Sequence, residues 1–171
     1  VTDFSAQDLR RALGQFATGV TIVTCRDAQG RPIGMTCNSF TSVSLDPPLV
    51  LWCLRSQSPN LVAFSAASTF AVNVLGAEHR ALSHHFASAV PDRFSLGDWQ
   101  IDAAEPPVLR DAVTQLVCAT ESQQTLGDHV LFVGRVLSLH SRVAEPLVYH
   151  AGGYRQFPPT EAPIPESVSP N

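Results

Sequence analysis

Charge is scarce in this chain, and the common signatures of binding and redox domains are missing. Charged residues make up 15% of the 171 positions, against 44% hydrophobic. Asp and Glu number 15 and the basic residues 11, a net charge of -4. A nucleic-acid protein needs a basic face to neutralise phosphates, so that class is excluded. No uninterrupted apolar stretch approaches the ~18–20 residues of a membrane-spanning helix. The opening Val1-Thr2-Asp3-Phe4 has neither the basic segment nor the apolar run of a signal peptide. Cys25, Cys37, Cys53 and Cys118 form no CxxC pair, which argues against a zinc ribbon or a thioredoxin-type site. Cysteines in apolar, strand-like surroundings act as small hydrophobes, and a reduced cytoplasm is the expected setting. No GxGxxG follows a strand pattern, so a Rossmann dinucleotide site is not expected. His79, His84 and His85, at i, i+5 and i+6, place no ligand pair on one helical face. They are expected to be surface or interface histidines, and no metal site is expected.

What is present is a chain long enough for one domain with a real core. Its low charge fraction fits a buried subunit interface. Ser5-Ala6-Gln7-Asp8 has the form of a capping box, and Leu9, Ala12, Leu13 and Phe16 recur at helical spacing, predicting a helix over 6–16. A β-branched strand is predicted over 19–25, a turn over 27–32 and a second strand from Ile33. Further strands are predicted over 49–54, 69–75, 113–124 and 130–140. Ser58-Pro59 is predicted to open a helix, with Ser58 as its N-cap, and 78–87 reads as another helix. Residues 88–107 form a long connection. Many strands with few short helices predict a mainly β, antiparallel barrel. Residues 1–157 form the expected domain. The segment 158–171, carrying Pro158, Pro159, Pro163, Pro165 and Pro170, reads as a Pro-rich tail or an arm over a neighbour. No internal repeat is visible.

The most informative segment is Gly34-Met35-Thr36-Cys37-Asn38-Ser39-Phe40-Thr41-Ser42-Val43-Ser44-Leu45-Asp46-Pro47-Pro48. Its hydroxyls and its carboxamide stand directly before the apolar Leu49-Val50-Leu51-Trp52-Cys53-Leu54. Such a run lines a polar, partly buried ligand or forms a strand with one face in water. The following Arg55-Ser56-Gln57-Ser58 combines a cation with hydroxyl donors before a predicted helix. It reads as a phosphate cradle or as a simple helix cap.

At these residues the chain resembles the short-chain flavin reductases, the reductase components of two-component flavin-dependent monooxygenases. The resemblance runs through Gly34 to Val50, Phe16 to Thr24, Gly127-Asp128-His129 with Gly134, and Pro146-Leu147-Val148-Tyr149-His150 with Gly152, Gly153 and Tyr154. It covers roughly residues 4–157.

The resemblance implies a split β-barrel of Greek-key strands, of the FMN-binding type, built as a homodimer with the flavin at the subunit interface. Met35, Thr36, Cys37 and Asn38 would border the isoalloxazine ring. Ser39 and Thr41, with Ser56 and Ser58, would reach the ribityl chain and phosphate. Cys53 and Leu54 would flank the ring, and Phe86 would approach it from the partner subunit. His129 would stand on the nicotinamide side, with His150 and Tyr154 as candidates for the same cleft. Cys37 stands where relatives often have alanine or serine, a small change expected to tune contact with the ring.

The implied reaction is hydride transfer from NADH or NADPH to FMN or FAD, with reduced flavin released to a separate oxygenase. The cofactor carries the chemistry, so no general acid or base is obligatory. Two other readings are a protein holding FMN permanently as an electron carrier, and a non-catalytic split-barrel dimer binding another ligand such as haem.

Overall fold

The computed structural model describes residues 3–156, so the Pro-rich segment 158–171 lies outside the described residues. Helix α1 (Ala6–Leu13) begins with the predicted box: the Ser5 hydroxyl accepts the Asp8 N–H at 3.1 Å, and the Asp8 carboxylate accepts the Ser5 N–H at 3.1 Å. It stops at Leu13, three residues short of the prediction. Gly14 caps it, and Gln15 and Phe16 turn back onto the Ala12 and Leu13 carbonyls. None of its residues is buried, so its apolar spacing is not used in the core of this chain.

Strands β1 (Thr18–Gly19), β2 (Thr21–Arg26) and β3 (Pro32–Cys37) follow. The β2–β3 turn closes because the Asp27 carboxylate accepts the N–H groups of Gln29 and Arg31, both at 2.9 Å. β4 (Thr41–Leu45) and β5 (Pro48–Arg55) form a tight hairpin. Burial alternates along β5: Val50, Trp52 and Leu54 face the core, while Cys53 and Arg55 do not. That period of two puts Cys53 and Arg55 on one face.

Helix α2 (Leu61–Ala66) starts later than predicted, with Asn60 rather than Ser58 at its N-cap. The Ser58 hydroxyl instead accepts the Asn60 N–H at 3.3 Å, a local turn that competes with helix initiation. β6 (Thr69–Val74), a short 3-10 turn at Ala77–His79 and α3 (Arg80–Ala87) come next. The long connection contains a second 3-10 turn, Arg93–Ser95, and β7 (Trp99–Gln100), which pairs with β8 (Val108–Leu109). β9 (Thr114–Leu126) and β10 (His129–Ser141) form the longest hairpin. The small strands β11 (Val148–His150) and β12 (Gly153–Arg155) pair with each other, and β11 pairs with β1.

The main sheet has seven antiparallel strands in the order β3-β2-β6-β9-β10-β5-β4. Laid flat it would be about 29 Å across, at ~4.8 Å per strand. Its two edge strands, β3 and β4, are joined only through residues 38–40. That link reaches about 14 Å at full extension. The sheet must therefore curl until its edges approach, and the Ser39 hydroxyl does meet Cys53 of β5.

Two apolar clusters fill the interior. One centres on Trp52, stacked on Phe132 at 4.5 Å, with Phe64 and Phe70 edge-on. The other joins Ile22, Leu75, Leu82, Phe86, Trp99 and Leu109. Gly34 admits α3 to β3: a Cβ there would come within 2.7 Å of the Phe86 ring. His79 is buried within the chain, contrary to the expected surface or interface position. Its Nδ1 accepts the Gly76 N–H at 3.0 Å, and Nε2 lies 3.1 Å from the Asp111 carboxylate. Anchoring the turn before α3 accounts for its burial.

Candidate active site

Where β3 leaves the sheet edge, a cavity of about 500 Å³ opens. Met35 to Ser39 form one wall, Cys53 to Arg55 the facing wall, and Gln57 to Pro59 with His129 close one end. The antiparallel register decides this end. His129, first in β10, stands opposite Arg55, last in β5. Among the described residues Arg55 has no salt bridge and no side-chain hydrogen bond. It is therefore a cation available to a ligand.

Asp128 organises the same end. Its carbonyl accepts the Ser56 N–H at 2.9 Å, and its carboxylate lies 2.8 Å from His129 Nδ1. The His129 hydrogen bond, then the charges of His129 and Arg55, hold the Asp128 carboxyl below the usual range. With Nδ1 turned to Asp128, Nε2 is the ring nitrogen left for another partner.

The opposite part of the cavity is less polar. Burial raises the Cys37 thiol pKa, and burial together with Cys37 raises that of Cys53. Both thiols are neutral at ordinary pH and act as soft, uncharged wall groups. The Asn38 side chain makes no hydrogen bond among the described residues and is exposed. Its carboxamide can meet a ligand's donor and acceptor edge. The Thr36 hydroxyl is turned away, donating to the Ser83 carbonyl at 2.6 Å.

Nine residues implied by the resemblance line this cavity: Met35, Thr36, Cys37, Asn38, Ser39, Cys53, Leu54, Ser58 and His129. Tyr154 lines a smaller neighbouring cavity of about 230 Å³, which shares Thr36 and Asn38 with the first. Its hydroxyl lies 2.8 Å from Ser83 Oγ, and its ring is edge-on to His84 at 4.9 Å. Thr41, Ser56, Phe86 and His150 line neither cavity. Thr41 is exposed on the edge strand β4. Ser56 contributes its backbone N–H to the turn of Asp128. Phe86 is 1% exposed and packs against Phe94 and Trp99, so within this chain it is a core residue. His150 ends β11 opposite Gly153. Gln57 and Pro59 belong to the stretch read as a phosphate cradle and Asp128 to the Gly127-Asp128-His129 motif, but the role of Asp128 as an anchor for Ser56 and His129 emerges only where β5 meets β10.

The donor set fits a flavin. It offers a neutral, mixed wall of thiol, thioether and aliphatic groups, a free carboxamide beside it, and one arginine with hydroxyl and amide groups at the far end. No group of His, Cys, Asp and Glu among the described residues is arranged to hold a metal ion.

The chain is similar to known proteins over most of its length. The family described as flavin reductase like domain matches residues 13–158. This chain belongs to that family. A probable flavin reductase of Rhizobium meliloti is 44% identical over 151 residues, which is 88% of this chain and 49% of that protein. The chain thus spans about half the length of that relative. The reductase subunit HsaB of a flavin-dependent monooxygenase from Rhodococcus jostii is 40% identical over 151 residues, covering 88% of this chain and 77% of the subunit. The NADH:FAD oxidoreductase SgcE6 of Streptomyces globisporus, solved in complex with NAD and FAD fragments, superposes with a TM-score of 0.84 at 38% identity. That match covers 93% of this chain and 98% of the other.

Proposed function

We propose that this chain is an NAD(P)H-dependent flavin reductase that reduces FMN or FAD and supplies it to a separate monooxygenase component. The observation that carries the proposal is the single cavity with a neutral wall at one end and the unpartnered Arg55 at the other. When bound, the flavin supplies the hydride acceptor and the nicotinamide the hydride. Arg55, with Gln57 and Ser58, holds the phosphate. Asn38 meets the polar edge of the ring, and Met35, Cys37, Cys53 and Leu54 form its bed. His129, steadied by Asp128, presents Nε2 to the nicotinamide carboxamide or pyrophosphate. Tyr154, across Thr36 and Asn38, borders the side from which the nicotinamide enters. Proximity and orientation then do the work, and no general base is required. One arginine and one histidine, with no other ionic side chain lining the cavity, favour flavin exchange over permanent retention.

The curled sheet is read as the family's split barrel. The homodimer is supported by surface that a lone chain leaves uncovered. Leu45 is 94% exposed on the edge strand β4, and Leu137, Leu139 and Val143 are exposed along and after β10. β5 pairs with β10 only as far as Arg135, so that edge of β10 is open beyond it. The four free cysteines fit a reducing, cytoplasmic setting. No helix among the described residues is long and apolar enough to cross a membrane.

The test is steady-state oxidation of NADH and of NADPH with FMN, FAD or riboflavin added. Flavin-dependent turnover is expected with at least one nicotinamide. Its absence with both overturns the proposal.

A further inference from the structure

The geometry points to Ser39 as a positioning residue: its hydroxyl takes the place of a missing strand partner and sets the cavity wall at Cys53 and Cys37. This inference rests on the flavin reading above for its ligand, but the contacts stand on their own. The β4–β5 ladder runs from Leu45–Pro48 to Thr41–Leu51. Continued in the same register, its next equivalent pair would be Ser39 with Cys53. The chain has already left the sheet there, because residues 38–40 must cross toward β3. Cys53 pairs with Leu131 of β10 on its other side. Its N–H and C=O both reach Ser39 rather than β10, which makes Cys53–Leu131 a non-hydrogen-bonded pair of the ladder and leaves those two groups facing the gap, with no strand to bond them.

The Ser39 side chain satisfies both. Its Oγ accepts the Cys53 N–H at 2.9 Å and lies 3.2 Å from the Cys53 carbonyl, to which it donates. The Cys37 sulfur lies 3.0 Å from the same Oγ. With the hydroxyl proton directed to Cys53, the neutral Cys37 thiol is left as the donor to Ser39. One side chain thus joins the exit of β3 to β5 across the cavity. Its lone pairs and proton are already engaged, so it acts through the two cysteines rather than on the phosphate. An edge that would otherwise bind water is closed before any ligand arrives, and the wall is preorganised.

The experiment compares wild-type protein, Ser39→Ala and Ser39→Thr in two measurements. The first is FMN affinity by fluorescence titration, alongside the Michaelis constant for NADH. Ser39→Ala is expected to weaken FMN about tenfold, because the Cys53 N–H and C=O lose their partner at the cavity wall. Ser39→Thr keeps the hydroxyl and should restore most of that loss, with the NADH constant unchanged in both.

The second measurement needs no flavin: labelling of the native protein by a thiol reagent, with the labelled peptides identified by mass. Cys25 and Cys118 are fully buried, with thiol pKa values pushed up to about 12, and stay silent. Labelling at Cys37 or Cys53 should accelerate in Ser39→Ala and not in Ser39→Thr. If Ser39→Ala does not fold, Ser39→Val against Ser39→Thr makes the same comparison at constant shape. Wild-type protein that binds no FMN would defeat the functional reading while the labelling still tests Ser39. Unchanged labelling together with unchanged FMN affinity in Ser39→Ala would overturn the role of Ser39 alone.

Discussion

Arg55 and His129 stand opposite each other across the β5–β10 ladder, and Asp128 ties both sides of that pair together through its carboxylate and its carbonyl. Two residues far apart in the sequence thereby make one end of a cavity. Arg55 carries a charge with no salt bridge among the described residues. Replacing it with alanine should weaken FMN at least about tenfold, the size of a hydrogen-bonded charge contact. Riboflavin, which has no phosphate, should lose far less. Parallel fluorescence titrations check the difference, and equal losses would remove Arg55 from the phosphate.

Asp128 should govern the acid side of the pH profile. Its carboxyl is held below the usual carboxylate range by His129 and Arg55. A depressed folded pKa means the carboxylate's contribution is present above the unfolded value of ~3.9 and disappears as pH falls through the lowered one. The His129 contact should therefore persist at pH 5. Asp128→Asn should raise the Michaelis constant for NADH several-fold with FMN affinity little changed, because a carboxamide orients the imidazole more weakly. Initial-rate kinetics from about pH 3 to 8 read both effects, with the loss confined to the lowest pH values.

Gly134 should tolerate no side chain. A Cβ there would run into the Phe70 ring and press on Cys118, inside the cluster around Trp52. Gly134→Ala should cost about 1–3 kcal/mol by overpacking, measured as a lower urea midpoint at unchanged slope.

The β11–β12 turn contains a correctable strain. Ala151 has φ 48° and Gly152 φ 80°, the two positive angles of a two-residue hairpin loop in which Asn-Gly is the favoured pair. Ala151→Asn should stabilise the protein by about 0.5–1 kcal/mol, visible as a raised thermal midpoint.

The exposed apolar stretch of β10 gives a test of assembly. Leu137→Glu with Leu139→Glu should leave the fold intact and shift sedimentation from dimer to monomer. A monomeric wild-type protein would remove the basis for the dimer.

The sequence by itself determined the local pieces, because each depends on neighbours in the chain. The Ser5–Asp8 box, the Asp27 turn and the long β9–β10 hairpin all follow from residues a few positions apart, whereas the continuous apolar run of β5 left its two faces to be decided by the fold. The polar run from Gly34, read from its chemistry and family resemblance as lining a ligand, does line the cavity from Met35 to Ser39. Local reading failed at Ser58, which turned onto the Asn60 N–H instead of capping a helix, and at His79, which accepts the Gly76 N–H inside the fold; Phe86 entered the second core beneath Gly34, where only distant partners could place it. The tertiary structure alone decided that β3 and β4, at opposite edges of one sheet, are joined by three residues and must curl together. That closure sets Ser39 against Cys53 and opens the cavity between them, while the pairing of β5 with β10 closes its end with Arg55 and His129. Strand order and register are properties of the whole sheet, and no short stretch of sequence contains them.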